Sequence, residues 1–356
     1  MAGLRRRTSG AIVIGRRFLT LDAVRGVAAL AVFCLHAGPL IAPVRLPSAF
    51  LAVDLFFLLS GFVIDHAYAG KLAGGLSVRK FVLVRYIRLY PLYLAGLIIG
   101  GTSAAISLAS GQGVLDSMGF VAVLGAGLMM LPSPTADQDT MLAPFNYPAW
   151  SLMFEMAINI AFVLTFRWLT LPVLLAVAAA AAAGLCWVGH TQGSIDFGAN
   201  WGLPWVGFLR VTCSFAIGVT MHRLNRGQYR CTPLVWLLPL LAILPFMGVG
   251  GVGGELLIVL VVFPAFVWLA VQLEPPAGRS ERMFVLLGNL SYPLYVVHLP
   301  TVQVIERALT VLHIDRVTLA PWAGLAIGLM LTMAALGLDR WYDRPVRRWL
   351  TQRLGV

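Results

Sequence analysis

Apolar runs long enough to cross a bilayer recur from one end of the chain to the other, separated by short polar or basic stretches. A membrane-crossing helix needs about 17–25 mostly apolar residues. Runs of that kind predict spans at 21–42, 49–68, 89–109, 148–166, 169–188, 204–222, 233–249, 255–272, 283–305 and 318–338. A further apolar stretch, 115–131, is short and holds Gly119, Gly125 and Gly127. Counting it as a span would put the basic loops before and after it on opposite faces of the membrane, and leaving it out keeps them together. The pattern predicts an all-α polytopic membrane protein with about ten transmembrane helices. The stretch 115–131 is expected to be re-entrant or to lie along the outer surface. If re-entrant, it must be covered by protein, because lipid offers its backbone no hydrogen-bond partners.

Composition agrees with this pattern. The 356 residues are 59% hydrophobic and 12% charged, against about a quarter charged in a soluble domain. No polar stretch is long enough to fold separately, so 1–356 reads as a single integral-membrane domain with basic tails at 1–20 and 339–356. The net charge of +11 would suit nucleic acid if it were spread over one face. Instead it is gathered at segment ends: Arg5 to Arg7, Arg16 and Arg17; Arg79, Lys80, Arg85 and Arg88; Arg223, Arg226 and Arg230; Arg279 and Arg282; Arg340, Arg344, Arg347 and Arg348. Such clusters mark cytoplasmic loops and suit anionic headgroups. They place both termini in the cytoplasm of a cell that carries the protein in its inner, cytoplasmic membrane, with the bilayer and not nucleic acid as partner.

The turn-rich stretch 132–147, with Asp137 and Asp139, then falls outside, as does the glycine-rich turn 248–254. Cys34, Cys186, Cys213 and Cys231 make no metal-binding spacing and read as small core residues. No matching pair of Gly/Pro-broken halves appears, which weighs against an inverted-repeat transporter.

The polar exceptions inside the spans carry the chemistry. Arg25 and His36 are eleven residues apart in the first span. That is about three helical turns plus 20°, so both lie on one face, about 16 Å apart along the axis. Ionisable residues at such depth point to a functional site facing the bundle interior. A neutral imidazole can act as a general base toward a hydroxyl, and a helix–helix hydrogen bond is the plain structural alternative. Asp22, three residues before Arg25, is its natural ion-pair partner.

Asp54 in the second span either orients His36 or pairs with an arginine. Ser60-Gly61 permits close helix approach, and Asp65 and His66 read as solvated at the cytoplasmic end. Arg85 and Arg88, three apart, share a helical face at the cytoplasmic entrance. Their forked guanidinium groups suit phosphate, and ordinary positive-inside flanking is the alternative. Trp150 reads as an interfacial anchor, Glu155 as an intramembrane carboxylate, and His298, following Tyr292, as a second buried histidine. There is no HExxH, GxSxG or Walker loop, so metalloprotease, serine-hydrolase and ATPase readings lack support, and no metal is expected.

These pieces resemble the membrane-bound acyltransferase-3 family of O-acyltransferases. The resemblance is carried by Leu21–His36 with its Arg-x10-His, Val53–Phe62, Arg85–Tyr93, Trp150–Glu155, Leu287–His298 and Tyr342-Asp343-Arg344-Pro345, in family order over nearly the whole chain. It implies an acyl-coenzyme A donor, acetyl-coenzyme A in the first instance, used as co-substrate with no tightly bound cofactor. The implied acceptor is a hydroxyl on a glycan or other small molecule. It implies His36 as the catalytic histidine with Arg25 as its partner, and Arg85 and Arg88 as the donor-holding pair. Asp22, Asp54, Trp150, Glu155, Tyr292 and His298 are expected in support. Asp343 stands where a glutamate is commoner in the family, and the esterase-like domain that some members carry is not expected here. The rival from another class is a transporter or flippase for an anionic or glycan substrate, which would account for the intramembrane charges without releasing coenzyme A.

Overall fold

The computed structural model describes residues 17–135, 140–227, 229–248 and 250–356. The basic cluster Arg5 to Arg7 with Arg16, and the loop aspartates Asp137 and Asp139, lie outside the described residues. Helices dominate: α1 (Leu19–Ala37), α2 (Ala52–Ala73), α3 (Val78–Ala109), α4 (Ser117–Leu128), α5 (Trp150–Thr165), α6 (Leu171–Gln192) and α7 (Pro204–Leu224). There follow α8 (Leu237–Leu241), α9 (Gly251–Leu257), α10 (Phe263–Ala270), α11 (Arg279–Val311), α12 (Trp322–Gly337) and α13 (Arg344–Leu354). A π turn joins α9 to α10 and another joins α12 to α13. Each π turn precedes a proline, Pro264 or Pro345, whose missing N–H breaks the regular ladder. The only sheet among the described residues is the short parallel pair β1 (Arg230–Cys231) and β2 (Leu273–Glu274).

Among the described residues, nine helical stretches are long and apolar enough to cross a membrane. The outward faces are apolar too. Leu325, Leu329 and Met333, one turn apart on α12, are each more than half exposed. An apolar stripe of that extent belongs against lipid. The chain is an all-α, multi-pass membrane protein.

Two predicted segments take a different form. The run 233–249 is not one helix but a 3-10 turn at Pro233–Trp236, the five-residue α8, and a 3-10 turn at Leu244–Phe246. Pro239 and Pro245 interrupt its hydrogen-bond ladder. Its two ends are nevertheless tied to opposite ends of α1. Thr232 N–H donates to Glu274 O at 3.2 Å, and Glu274 accepts from Leu19 N at 3.1 Å. Phe246 O accepts from Ser48 N–H at 3.2 Å, beyond the far end of α1. The basic residues before position 89 are not in a loop either. Ser77 caps α3 by accepting from Lys80 N, so the helix begins at Val78 and carries Arg85 and Arg88 within it. The stretch 115–131 forms α4, whose 12 residues span about 18 Å, short of a crossing. Asp116 caps it through Gly119 N, and Tyr90 and Tyr93 of α3 donate to Leu128 O and Gly127 O at its end.

Helix pairs are drawn close by missing side chains. A Cβ on Gly61 of α2 would come within 2.1 Å of Phe215 O of α7, and one on Gly218 within 2.1 Å of Leu58 O. Gly26 does the same for α1 and α11, where a Cβ would meet Leu287 O at 2.4 Å. Such contact lets backbones approach in a membrane, where packing drives association. The approach of α1 to α11 is what brings His36 and His298 together. Of the cysteines, only Cys213 is buried. Cys34 is half-buried, and Cys186 and Cys231 are exposed, Cys186 on the outward face of α6.

Candidate active site

Helices α1, α2, α3, α5 and α11 enclose a cavity of about 260 Å³. Its polar lining is Arg25, Ser60, Arg85, Arg88, Ser151, Glu155, Ser291, Tyr292 and Tyr295. A second cavity of about 440 Å³, at the end of the bundle that carries Arg17 and the C-terminal helix, shares Arg25, Val63, Arg88 and Tyr292 with it. The two therefore adjoin, with Arg25 facing both.

Arg85 and Arg88 share a face, as their spacing predicts, but their surroundings differ. Arg85 Nη2 donates to Glu155 Oε1 at 3.0 Å, and Ser60 Oγ donates to the same oxygen at 3.0 Å. Arg85 Nε is buried with no partner. A carboxylate and a guanidinium held this far from water depend on each other, since removing one strands the other charge. Arg88 is more open, at 42% exposed. It lies 3.9 Å from Asp343 and stacks over the Tyr292 ring at 5.4 Å. Tyr292 donates its hydroxyl to Leu89 O at 2.5 Å, fixing that ring against α3. Asp22 pairs with Arg25 at 3.3 Å and also with Arg17 at 2.5 Å. Arg25 thus has its expected partner and still lines both cavities.

The histidines meet at the other end of α1. His36 Nδ1 lies 2.9 Å from His298 Nε2. His298 is fully buried, and its Nδ1 points at two backbone carbonyls, Tyr295 O at 2.8 Å and Leu294 O at 3.1 Å. Carbonyl oxygens only accept, so the network assigns a proton to His298 Nδ1 and a lone pair to its Nε2. That lone pair accepts from His36 Nδ1–H, and His36 Nε2 is left with a lone pair of its own. His36 is half-buried and lies edge-on to Tyr147, with ring centroids 6.2 Å apart. His36 does not line the first cavity. Tyr295 does, and its ring centroid is 6.1 Å from that of His298. The Tyr295 and Ser151 hydroxyls lie 2.7 Å apart, each within reach of Pro148 O, so one donates to that carbonyl and accepts from the other. The cavity wall next to the histidines is thereby fixed by α5 and α11.

Two expected supporters are elsewhere. Asp54 does not touch His36. It is fully buried against Arg210 of α7, with Asp54 Oδ2 accepting from Arg210 Nη2 at 2.6 Å and both its oxygens accepting from Nε at 3.1 and 3.2 Å. Phe50 O and Phe197 O take the remaining guanidinium directions, and Asp196 lies 3.6 Å away. A buried carboxylate needs a cation, and α7 supplies it. Trp150, at the start of α5, is 5% exposed and packs inside the protein. Its ring lies 5.5 Å from the Arg210 guanidinium. Asp65 and His66 are not simply solvated either. Asp65 is buried and accepts from His222 Nδ1 at 2.7 Å and from Arg223, and His222 Nε2 lies 3.2 Å from His66 Nδ1. Arg210 was open to the same reading that singles out Arg25, a cation inside an apolar run. The Ser151–Tyr295 pair had no such signal.

Among the described residues, no group of three or more His, Cys, Asp or Glu side chains is disposed to hold a metal ion. A family model described as an acyltransferase domain matches residues 18–338. The chain is 29% identical over 335 residues to Acyltransferase MdmB of Streptomyces mycarofaciens, a match covering 81% of this chain and 79% of that protein. It is 37% identical over 162 residues to Protein 2 in picA locus of Rhizobium radiobacter, covering 43% of this chain and 82% of that protein. No solved structure is a significant match to the chain.

Proposed function

The chain belongs to the acyltransferase-3 family, and from that premise we propose that it moves an acetyl group from cytoplasmic acetyl-coenzyme A to a hydroxyl of a glycan or other small acceptor. The observation that carries this reading is the histidine pair. A neutral His36 whose Nδ1–H is committed to His298 keeps Nε2 as a base. His36 Nε2 takes the acceptor hydroxyl proton as the oxygen attacks the thioester carbonyl carbon. The C–S bond breaks as the tetrahedral adduct collapses. The thiolate leaves with the proton returned from His36, giving the ester and free coenzyme A. His298 is a positioning residue, holding the ring and its tautomer without touching the substrates.

The donor arrives from the basic end. Arg88 is open to phosphate there, whereas Arg85 is paired with Glu155 and braces the cavity wall. Arg25, at the junction of the two cavities, steadies negative charge on the donor. The thioester then extends along α1, about 16 Å from Arg25 to the level of His36, a distance an extended pantetheine arm covers.

In this reading the basic end is cytoplasmic, by the excess of arginine there. The segment Pro233–Phe246 serves as a tenth crossing despite its broken helix. Its 14 residues at about 1.5–2.0 Å each cover about 21–28 Å, and its two ends are tied to the two ends of α1. An even number of crossings puts both termini in the cytoplasm.

The test is transfer from labelled acetyl-coenzyme A by the protein in lipid, with free coenzyme A counted alongside. His36→Ala should lower kcat by about a hundredfold or more, the usual share of a general base. Transfer at the wild-type rate would sink the assignment. Uptake of acceptor without release of coenzyme A would favour a transporter.

A further inference from the structure

The cavity at the basic end is more cationic than the Arg85–Arg88 pair alone would make it. Arg17, Arg25, Arg88, Arg344 and Arg347 all line it. These guanidinium groups come from the start of α1, from α3 and from α13, and among the described residues they share three carboxylates. Asp22 pairs with Arg17 and Arg25, Asp339 with Arg344 and Arg347, and Asp343 with Arg347 and Arg88. Positive charge is left over in a space of about 440 Å³. The arginines are also reachable, with side-chain exposures from 24% for Arg347 to 51% for Arg17. Arg344 and Arg347 both lie beyond residue 338, where the family model's match ends, Arg344 within the motif Tyr342–Pro345 and Arg347 one turn further along α13.

We propose that this cavity is the docking site for the phosphates of the donor's nucleotide end, a 3′-phosphorylated adenosine diphosphate, and that Arg17, Arg88, Arg344 and Arg347 hold them. The C-terminal segment 338–354 is then part of the donor site. The proposal rests on the acyl-coenzyme A reading above and assigns its phosphate contacts to residues other than Arg85, whose Nη2 is already bonded to Glu155. Several forked donors converging from three directions suit an anion with phosphate groups at both ends of a ribose. Because Arg25 and Tyr292 border both cavities, the rest of the donor passes between them toward Tyr295.

The experiment is calorimetric titration of the full chain in nanodiscs with adenosine 3′,5′-bisphosphate, which carries phosphates but no thioester. The wild type should bind it. Arg344→Gln combined with Arg347→Gln should weaken binding by about tenfold or more, as expected for lost charge-assisted hydrogen bonds. Removing Arg347 leaves Asp343 without its closest cation, so Arg17→Gln, whose side chain is half exposed, is the second arm and should weaken binding in the same direction. Absence of binding by the wild type, or equal binding by Arg17→Gln and wild type, would overturn the proposal. If the nucleotide binds as predicted but acetyl-coenzyme A supports no transfer, the catalytic reading fails and the phosphate site stands. If transfer proceeds and neither variant weakens nucleotide binding, the site fails and the catalytic reading stands.

Discussion

Two of the polar pairs that cross-link this bundle differ in what they leave over. In the Asp54–Arg210 pair, the carboxylate is met by the guanidinium, and the guanidinium is further met by two backbone carbonyls and by Asp196. In the His36–His298 pair, His298 is saturated by Leu294 O, Tyr295 O and His36, but His36 keeps one ring nitrogen unused. A saturated pair is a fastening, because nothing in it is left to react. A pair with one spare lone pair is a fastening that presents a base. Burying the ion pair costs more than burying the neutral imidazoles, but burial does not show which pair keeps a group free to react.

The largest effect expected from breaking this contrast is at the fastening. Arg210→Ala strands Asp54 with no cation and should cost about 3–5 kcal/mol of stability, read by thermal unfolding in detergent. If Arg210→Ala folds with wild-type stability and loses only transfer, the two pairs are not different in kind. Next comes the positioning residue. His298→Leu removes the acceptor for His36 Nδ1–H and frees the ring to turn. The kcat should fall by about a hundredfold with little change in KM. His298→Gln, which can still accept, should recover part of that loss, and equal loss in both variants would argue for packing instead. The smallest effect is at the cavity wall. Tyr295→Phe loses the bonds to Ser151 and Pro148 and should cost about 1 kcal/mol, with transfer reduced only modestly.

The sequence disclosed this contrast unevenly. Spans with continuous apolar character were legible, and so was the shared face of Arg25 and His36, because both follow from periodicity along one helix. The partners were not. Asp54 and Arg210 are 156 positions apart, and His36 and His298 are 262 apart. Periodicity cannot choose between orienting His36 and pairing with an arginine, the two roles open to Asp54. The extension of α3 back to Val78 follows from Ser77, a plain helix cap, whereas hydropathy marks only its apolar part from position 89. The run 233–249 has the hydropathy of a span but carries prolines at 233, 239 and 245, and hydropathy is blind to the backbone donors they remove.

The central claim is that the proton of His36 sits on Nδ1, leaving Nε2 bare. Nitrogen-15 solid-state NMR of histidine-labelled protein in lipid, with His36→Asn to assign the signal, reads this directly. A neutral His36 ring with a protonated Nδ1 and an unprotonated Nε2 is expected at neutral pH. A neutral ring protonated on Nε2, or a doubly protonated one, would contradict it.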